Sequence, residues 1–263
     1  MVEEDCQLKE ETMSEEFEHG EMNDQLILIV GFSAAGKSAS LRNIRNQERW
    51  VYLNTEAGKR LPFKNNFNGV RITDPYQILE YFDQCIEHRD DVDGIIVDSL
   101  TFMMDMLETQ YVLTAANTQK AWGEFAQFFK ILLQEKVVKF AKPVIFTAHV
   151  KDEVDERAME LKTFVPVKGS LKNNGIEAYF STVVSAERID LKELEKYSNG
   201  MLEITEDEQE LGYKHVFQTR PTKKTVGKRI RSPMGMFSKQ ETYMDNDAQK
   251  LLDHLAEYYS TGA

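Results

Sequence analysis

Cysteine is almost missing from this chain: Cys6 and Cys85 are the only two, with no CxxC spacing and no nearby histidine pair. That excludes a zinc motif and a disulfide framework, and a reducing, cytoplasmic compartment is the expectation. Long apolar runs are missing too. Nothing approaches the ~18 to 20 consecutive apolar residues of a membrane span, so no membrane partner is expected. The N-terminus lacks a basic stretch followed by an apolar one, which argues against a secretory signal. No proline-rich linker and no internal repeat divides the 263 residues. One large α/β domain with small appendages suits that length.

Charge is plentiful but unevenly placed. The formal net charge is −12, and residues 1–24 account for −9 of it, with ten acids against Lys9. We expect residues 1–24 to form an acidic disordered tail. The opposite bias appears late. Residues 211–240 contain no acid but eight bases: Lys214, Arg220, Lys223, Lys224, Lys228, Arg229, Arg231 and Lys239. A local field of that sign matters more to an anionic partner than the overall balance does.

Residues 25–30 form a continuous β-branched run closed by glycine, the pattern of a strand buried on both faces. The sequence predicts a helix from the following loop to about residue 46, then strands over 50–54, 94–99, 143–149 and 180–186. Helices are predicted over 76–89, 120–140, around 190–197 and over 245–259. Residues 159–167 read as a hairpin, and 201–204 with 213–218 as an antiparallel pair. The alternation through residue 150 predicts a mostly parallel central sheet, extended afterwards by antiparallel strands. On this reading residues 25–232 are the core and 233–263 a C-terminal extension with a closing helix.

The chemistry begins at Gly31-Phe32-Ser33-Ala34-Ala35-Gly36-Lys37-Ser38, a GxxxxGK[ST] loop between an apolar strand and a helix. Its glycines let backbone N–H groups turn inward around phosphate oxygens. Lys37 supplies a cation for the β and γ phosphates, Ser38 a hydroxyl for Mg²⁺, and the following turn, from Ala39, a helix N-terminus. ATP and Mg²⁺ are therefore the expected ligands. Asp98, closing an apolar strand, is the candidate second Mg²⁺ residue. Glu56, at the end of the strand after the loop, is the candidate base that activates water.

Taken in order, the phosphate loop, Glu56, Val97-Asp98-Ser99 and Thr147-Ala148-His149 resemble the RecA-like core ATPases. Within them the chain resembles the short phage-encoded RecA-like proteins, some of which anneal single strands. The resemblance spans about residues 25–232. It implies a RecA-like fold, ATP hydrolysis stimulated by single-stranded DNA, a homo-oligomer, and the cytoplasm of a host cell. It places His149 where that family has a γ-phosphate sensor, often glutamine, and 151–166 where it has a DNA-contacting loop. It also implies a site completed across a subunit interface by late-strand bases. Arg229 and Arg231 are the candidates for that trans role, and Lys223, Lys224 and Lys228 for DNA phosphates. The competing reading is a nucleotide-dependent switch that loads or regulates a helicase, a polymerase or a single-strand-binding protein.

Overall fold

The computed structural model describes residues 23–157, 159–173 and 175–260. The acidic tail expected over 1–24 therefore lies outside the described residues, apart from its last two. Asn23 donates through Nδ2 to the Lys142 carbonyl at 2.8 Å, which anchors the entry to the first strand.

Eight strands form one sheet in the order β10-β9-β8-β1-β5-β4-β2-β3. In chain order they are β1 (Leu26–Gly31), β2 (Trp50–Asn54), β3 (Asn68–Arg71), β4 (Gly94–Asp98) and β5 (Val144–His149), then β8 (Thr182–Asp190), β9 (Tyr213–Gln218) and β10 (Tyr243–Asp245). The intervening β6 (Lys151–Asp155) and β7 (Glu160–Phe164) pair only with each other. Strands β3, β2, β4, β5, β1 and β8 are mutually parallel, while β9 runs antiparallel to β8 and to β10. This is the mostly parallel sheet with an antiparallel edge that the alternation predicts.

Both faces of the sheet are covered, which explains the unbroken apolar runs. On β1, Leu26, Leu28 and Val30 face one core while Ile27 and Ile29 face the other. The first core is closed by α1 (Tyr76–Glu87), α2 (Leu100–Leu107) and α3 (Thr118–Lys130), the last continuing through a π turn to Phe140. The aromatic stripe of α3 supplies Phe125 and Phe129, both essentially buried. Each fully buried side chain of that size contributes roughly 1.5–3 kcal/mol. A short helix, α4 (Glu206–Leu211), precedes β9, and α5 (Ala248–Ser260) closes the second core through Leu251, Leu252 and Leu255. No described helix is long and apolar enough to cross a membrane.

Three expectations need correction. The helix after the phosphate loop is only a 3-10 segment, Ser38–Asn43. Its continuation is replaced by tertiary bonds: Arg42 donates to the Asn246 carbonyl at 3.0 Å, and the Arg45 amide to Gln249 Oε1 at 2.9 Å. Residues 201–204 form no strand, because both sides of β9 are taken by β8 and β10. The predicted hairpin lies earlier than 159–167, at β6 and β7. Of the residues expected to form a C-terminal extension, 233–260 are described: β10 pairs with β9 at the end of the sheet, and α5 packs on the second core.

Candidate functional site

The parallel strands β1, β2, β4 and β5 end at one edge of the sheet, and their C-terminal ends carry the predicted chemistry. Gly31 ends β1, Glu56 follows β2, Asp98 ends β4 and His149 ends β5. A cleft of about 560 Å³ lies across these ends, a size suited to a cofactor or nucleotide. Ser33, Ala34, Gly36, Lys37, Ser38 and Ala39 form one wall. Ala34 has φ +62° and Gly36 φ +99°, so the loop turns back on itself. At position 36 a Cβ would also fall 2.6 Å from Asn246 Nδ2, so only glycine fits.

Lys37 is buried, 6% exposed, and points back along its own loop. Its Nζ donates to the carbonyls of Gly31 and Phe32, both at 2.9 Å, and reaches His149 Nδ1 at 3.4 Å. Burial pushes its pKa down to about 8, against the opposing pull of Asp98 and Glu56. A protonated lysine can only donate, so Nδ1 of His149 accepts and the ring proton sits on Nε2. That Nε2 lies 3.5 Å from Glu56 Oε1. Lys37, His149 and Glu56 thus form one polar chain across the cleft.

Glu56 is held on both oxygens, with Lys59 Nζ 3.2 Å from Oε2. The His149 bond first, and Lys59 second, lower its pKa to about 2 against the cost of burial. A carboxyl so acidic is ionised and orients a donor well, but takes a proton poorly. Its strength as a base is therefore set by how firmly His149 and Lys59 hold it.

Asp98 is buried and satisfied by three hydroxyls. Ser38 Oγ donates to Oδ2 at 3.0 Å, Tyr52 OH to the same oxygen at 2.8 Å, and Thr147 Oγ1 to Oδ1. Burial, then the charge of Asp98, drives the Tyr52 phenol far above its usual range. The Ser38 hydroxyl beside the Asp98 carboxylate is a hard-oxygen pair of the kind Mg²⁺ prefers. The donor set fits that ion.

The sequence does not foreshadow Tyr52 and Thr147 as partners of Asp98, nor the clamp on the far side of the loop. There His215 Nδ1 donates to the Ala35 carbonyl at 3.1 Å, and Asn246 Nδ2 to the Gly36 carbonyl at 2.9 Å. Both contacts join residues about two hundred positions apart, so no local pattern announces them.

An AAA domain family model matches residues 23–230. The chain belongs to that family. It is a P-loop AAA-type ATPase domain, and the match covers the loop, Glu56, Asp98 and His149 alike. Comparison with curated proteins yields no match.

The remaining candidates of this ATPase lie away from the cleft. Arg229 Nη1 pairs with the buried Glu177 at 3.0 Å and lies over the Phe164 ring. Arg231 donates to the Ala178 carbonyl at 3.2 Å, and its backbone bridges Val183 of β8. Lys223 and Lys224 are exposed, the Lys224 side chain by 80%, with Glu193 3.5 Å from its Nζ. Lys228 does not join them. Its side chain is only 16% exposed and pairs with Glu187 at 2.8 Å, so the fold uses that charge internally. The β6–β7 hairpin likewise pairs two of its bases, Lys151 with Glu153 and Lys162 with Asp155.

Proposed function

We propose that this chain hydrolyses ATP in the β1–β5 cleft and acts as an oligomer on single-stranded DNA, in recombination, annealing or replication. The observation that carries the hydrolytic part is the Lys37–His149–Glu56 chain. It joins the residue expected at the γ-phosphate to the carboxylate expected to orient water. Backbone amides of residues 33–38 and the Lys37 ammonium bind the phosphates of the substrate. Ser38 and Asp98 would hold Mg²⁺, which supplies neutralisation of phosphate charge when bound. His149 holds Glu56 ionised and in place, and Glu56 orients the attacking water. A γ-phosphate that draws Lys37 toward itself removes the donor on His149 Nδ1, which makes the histidine a sensor of the nucleotide's state.

The DNA part rests on the exposed Lys223 and Lys224 and on the resemblance to single-strand annealing proteins. Stimulation of ATP turnover by single-stranded DNA tests it, and turnover indifferent to DNA at every salt concentration refutes it. A slow nucleotide-dependent switch is the second reading, favoured by the acidity of Glu56, and it predicts that same indifference. For Arg229 and Arg231 the trans role requires Arg229 to leave Glu177. An Arg229→Ala, Arg231→Ala chain should lose hydrolysis yet regain part of it when mixed with Lys37→Ala. No recovery in such mixtures removes the trans assignment.

A further inference from the structure

We infer a second nucleic-acid groove, separate from Lys223 and Lys224, lined by Lys59, Arg60, Lys64 and Arg71. It takes the phosphates of a single strand. The inference rests on the DNA-binding reading above and adds a surface that the basic segment 211–240 does not supply.

Between Glu56 and Asp74 the chain has four bases and no acid, in a protein of net charge −12. The fold gathers those four around a groove of about 830 Å³ whose described lining contains no Asp or Glu. All four are exposed. Among the described residues only Lys59 has an acidic partner, Glu56. On the β6–β7 hairpin, by contrast, Lys151 and Lys162 are matched by acids. In the groove the potential is uncompensated, and opposing phosphates would screen it.

Geometry favours a strand over a small anion. β3 is the outermost strand of the sheet, so the groove opens sideways at a free edge. Arg71 sits opposite Asn54 in the β2–β3 register, two residues before Glu56, and its stem lies across Gly58. Phe63 and Val70 give the groove apolar lining, and Asn65 an exposed polar side chain. At the inner end Lys59, Arg60 and Pro62 line both this groove and the nucleotide cleft. A strand following the groove thus ends beside the γ-phosphate end of the cleft.

Lys59 makes that adjacency consequential. It lines the groove and also holds Glu56 Oε2 at 3.2 Å. A backbone phosphate bound in the groove competes with Glu56 for the ammonium. Released from Lys59, Glu56 is the stronger base, so occupancy of the groove raises turnover.

The test uses the full chain, a fluorescein-labelled oligo-dT and anisotropy across a salt series, with ATP turnover measured with and without the oligonucleotide. Lys64 and Arg71 lie outside the nucleotide cleft, so Lys64→Ala, Arg71→Ala should leave DNA-free turnover within about twofold. It should make the slope of log K against log salt shallower by about 1.4, from two lost phosphate contacts. It should also abolish stimulation by DNA. A bromodeoxyuridine-substituted oligonucleotide should cross-link the wild-type chain within residues 58–71. Wild-type binding with cross-links elsewhere, and an unchanged slope in the double variant, overturn the groove while leaving the DNA reading intact. A wild-type chain that binds no single strand at low salt overturns both.

Discussion

Lys37 and Lys224 are the same residue held in opposite ways. Lys37 is 6% exposed and fixed by two carbonyls and a histidine, whereas the Lys224 side chain is 80% exposed with one acid at 3.5 Å. A buried, triply held ammonium acts at one point and its geometry is decisive. An exposed one contributes to a field, is screened by salt and is replaceable by a neighbour. The contrast predicts that substitutions near Lys37 change chemistry in large steps, while those near Lys224 change affinity gradually.

The hardest test of that contrast is Lys37→Ala, which should abolish ATP hydrolysis and weaken nucleotide binding. Residual turnover at the wild-type rate, in a preparation free of contaminating ATPase, would end the hydrolytic reading. Next comes Glu56→Gln, expected to bind ATP normally but to hydrolyse it ~10²- to 10⁴-fold more slowly. If its turnover is unchanged, the base lies elsewhere, with Glu153, Asp155 and Glu156 on and beside β6 the next carboxylates to replace.

The depressed pKa of Lys37 sharpens the comparison through pH. The free protein loses the Lys37 proton near pH 8, while phosphate oxygens hold it on in the complex. Below pH 8 both states are protonated and affinity is flat. Above it, binding must take up a proton, and ATP affinity should fall about tenfold per pH unit. Calorimetry in two buffers of different ionisation enthalpy measures that uptake, and no uptake at pH 9 contradicts the mechanism.

At the other pole, Lys223→Ala, Lys224→Ala should leave DNA-free hydrolysis intact and make the single-strand salt slope shallower by about 1.4. An unchanged slope removes these two from the DNA surface. The smallest effect on DNA is expected from Lys228→Ala. It leaves Glu187 without its cation, so it should cost about 1–3 kcal/mol of stability in a denaturant melt and leave the salt slope alone.

The centre of the sheet is plain in the sequence because it is covered on both sides. The strands ending at Gly31 and Asp98 are unbroken apolar runs, the one ending at His149 is interrupted only by Thr147, and each terminal residue stands out against its strand. Toward the edges that signal fades. β3 has only Val70 half-buried among its four residues, and β10 is three residues long, so neither leaves a period to read. The segment after the phosphate loop has helical composition, yet bonds from residues 246–249 capture its side chains and backbone. Residues 201–204 alternate as a strand would, but two strands had already taken the sites beside β9. Charge was the least legible property. Lys223 and Lys228 look alike in the sequence, and only the position of Glu187 on β8 distinguishes a surface charge from an internal one.

The Asn246 clamp also sets an order of events. The Gly36 carbonyl waits for a side chain 210 residues downstream. At a synthesis rate of ~5–20 residues per second, about 10 to 40 s separate their emergence from the ribosome. Until residue 215 emerges the far side of the phosphate loop has neither brace, and from then until residue 246 it has only the His215 bond to Ala35. The helix that packs beside it, Ala248–Ser260, is later still. Full bracing of the phosphate loop is therefore among the last features this polypeptide acquires, and a translation product stopped before residue 246 lacks the Asn246 bond.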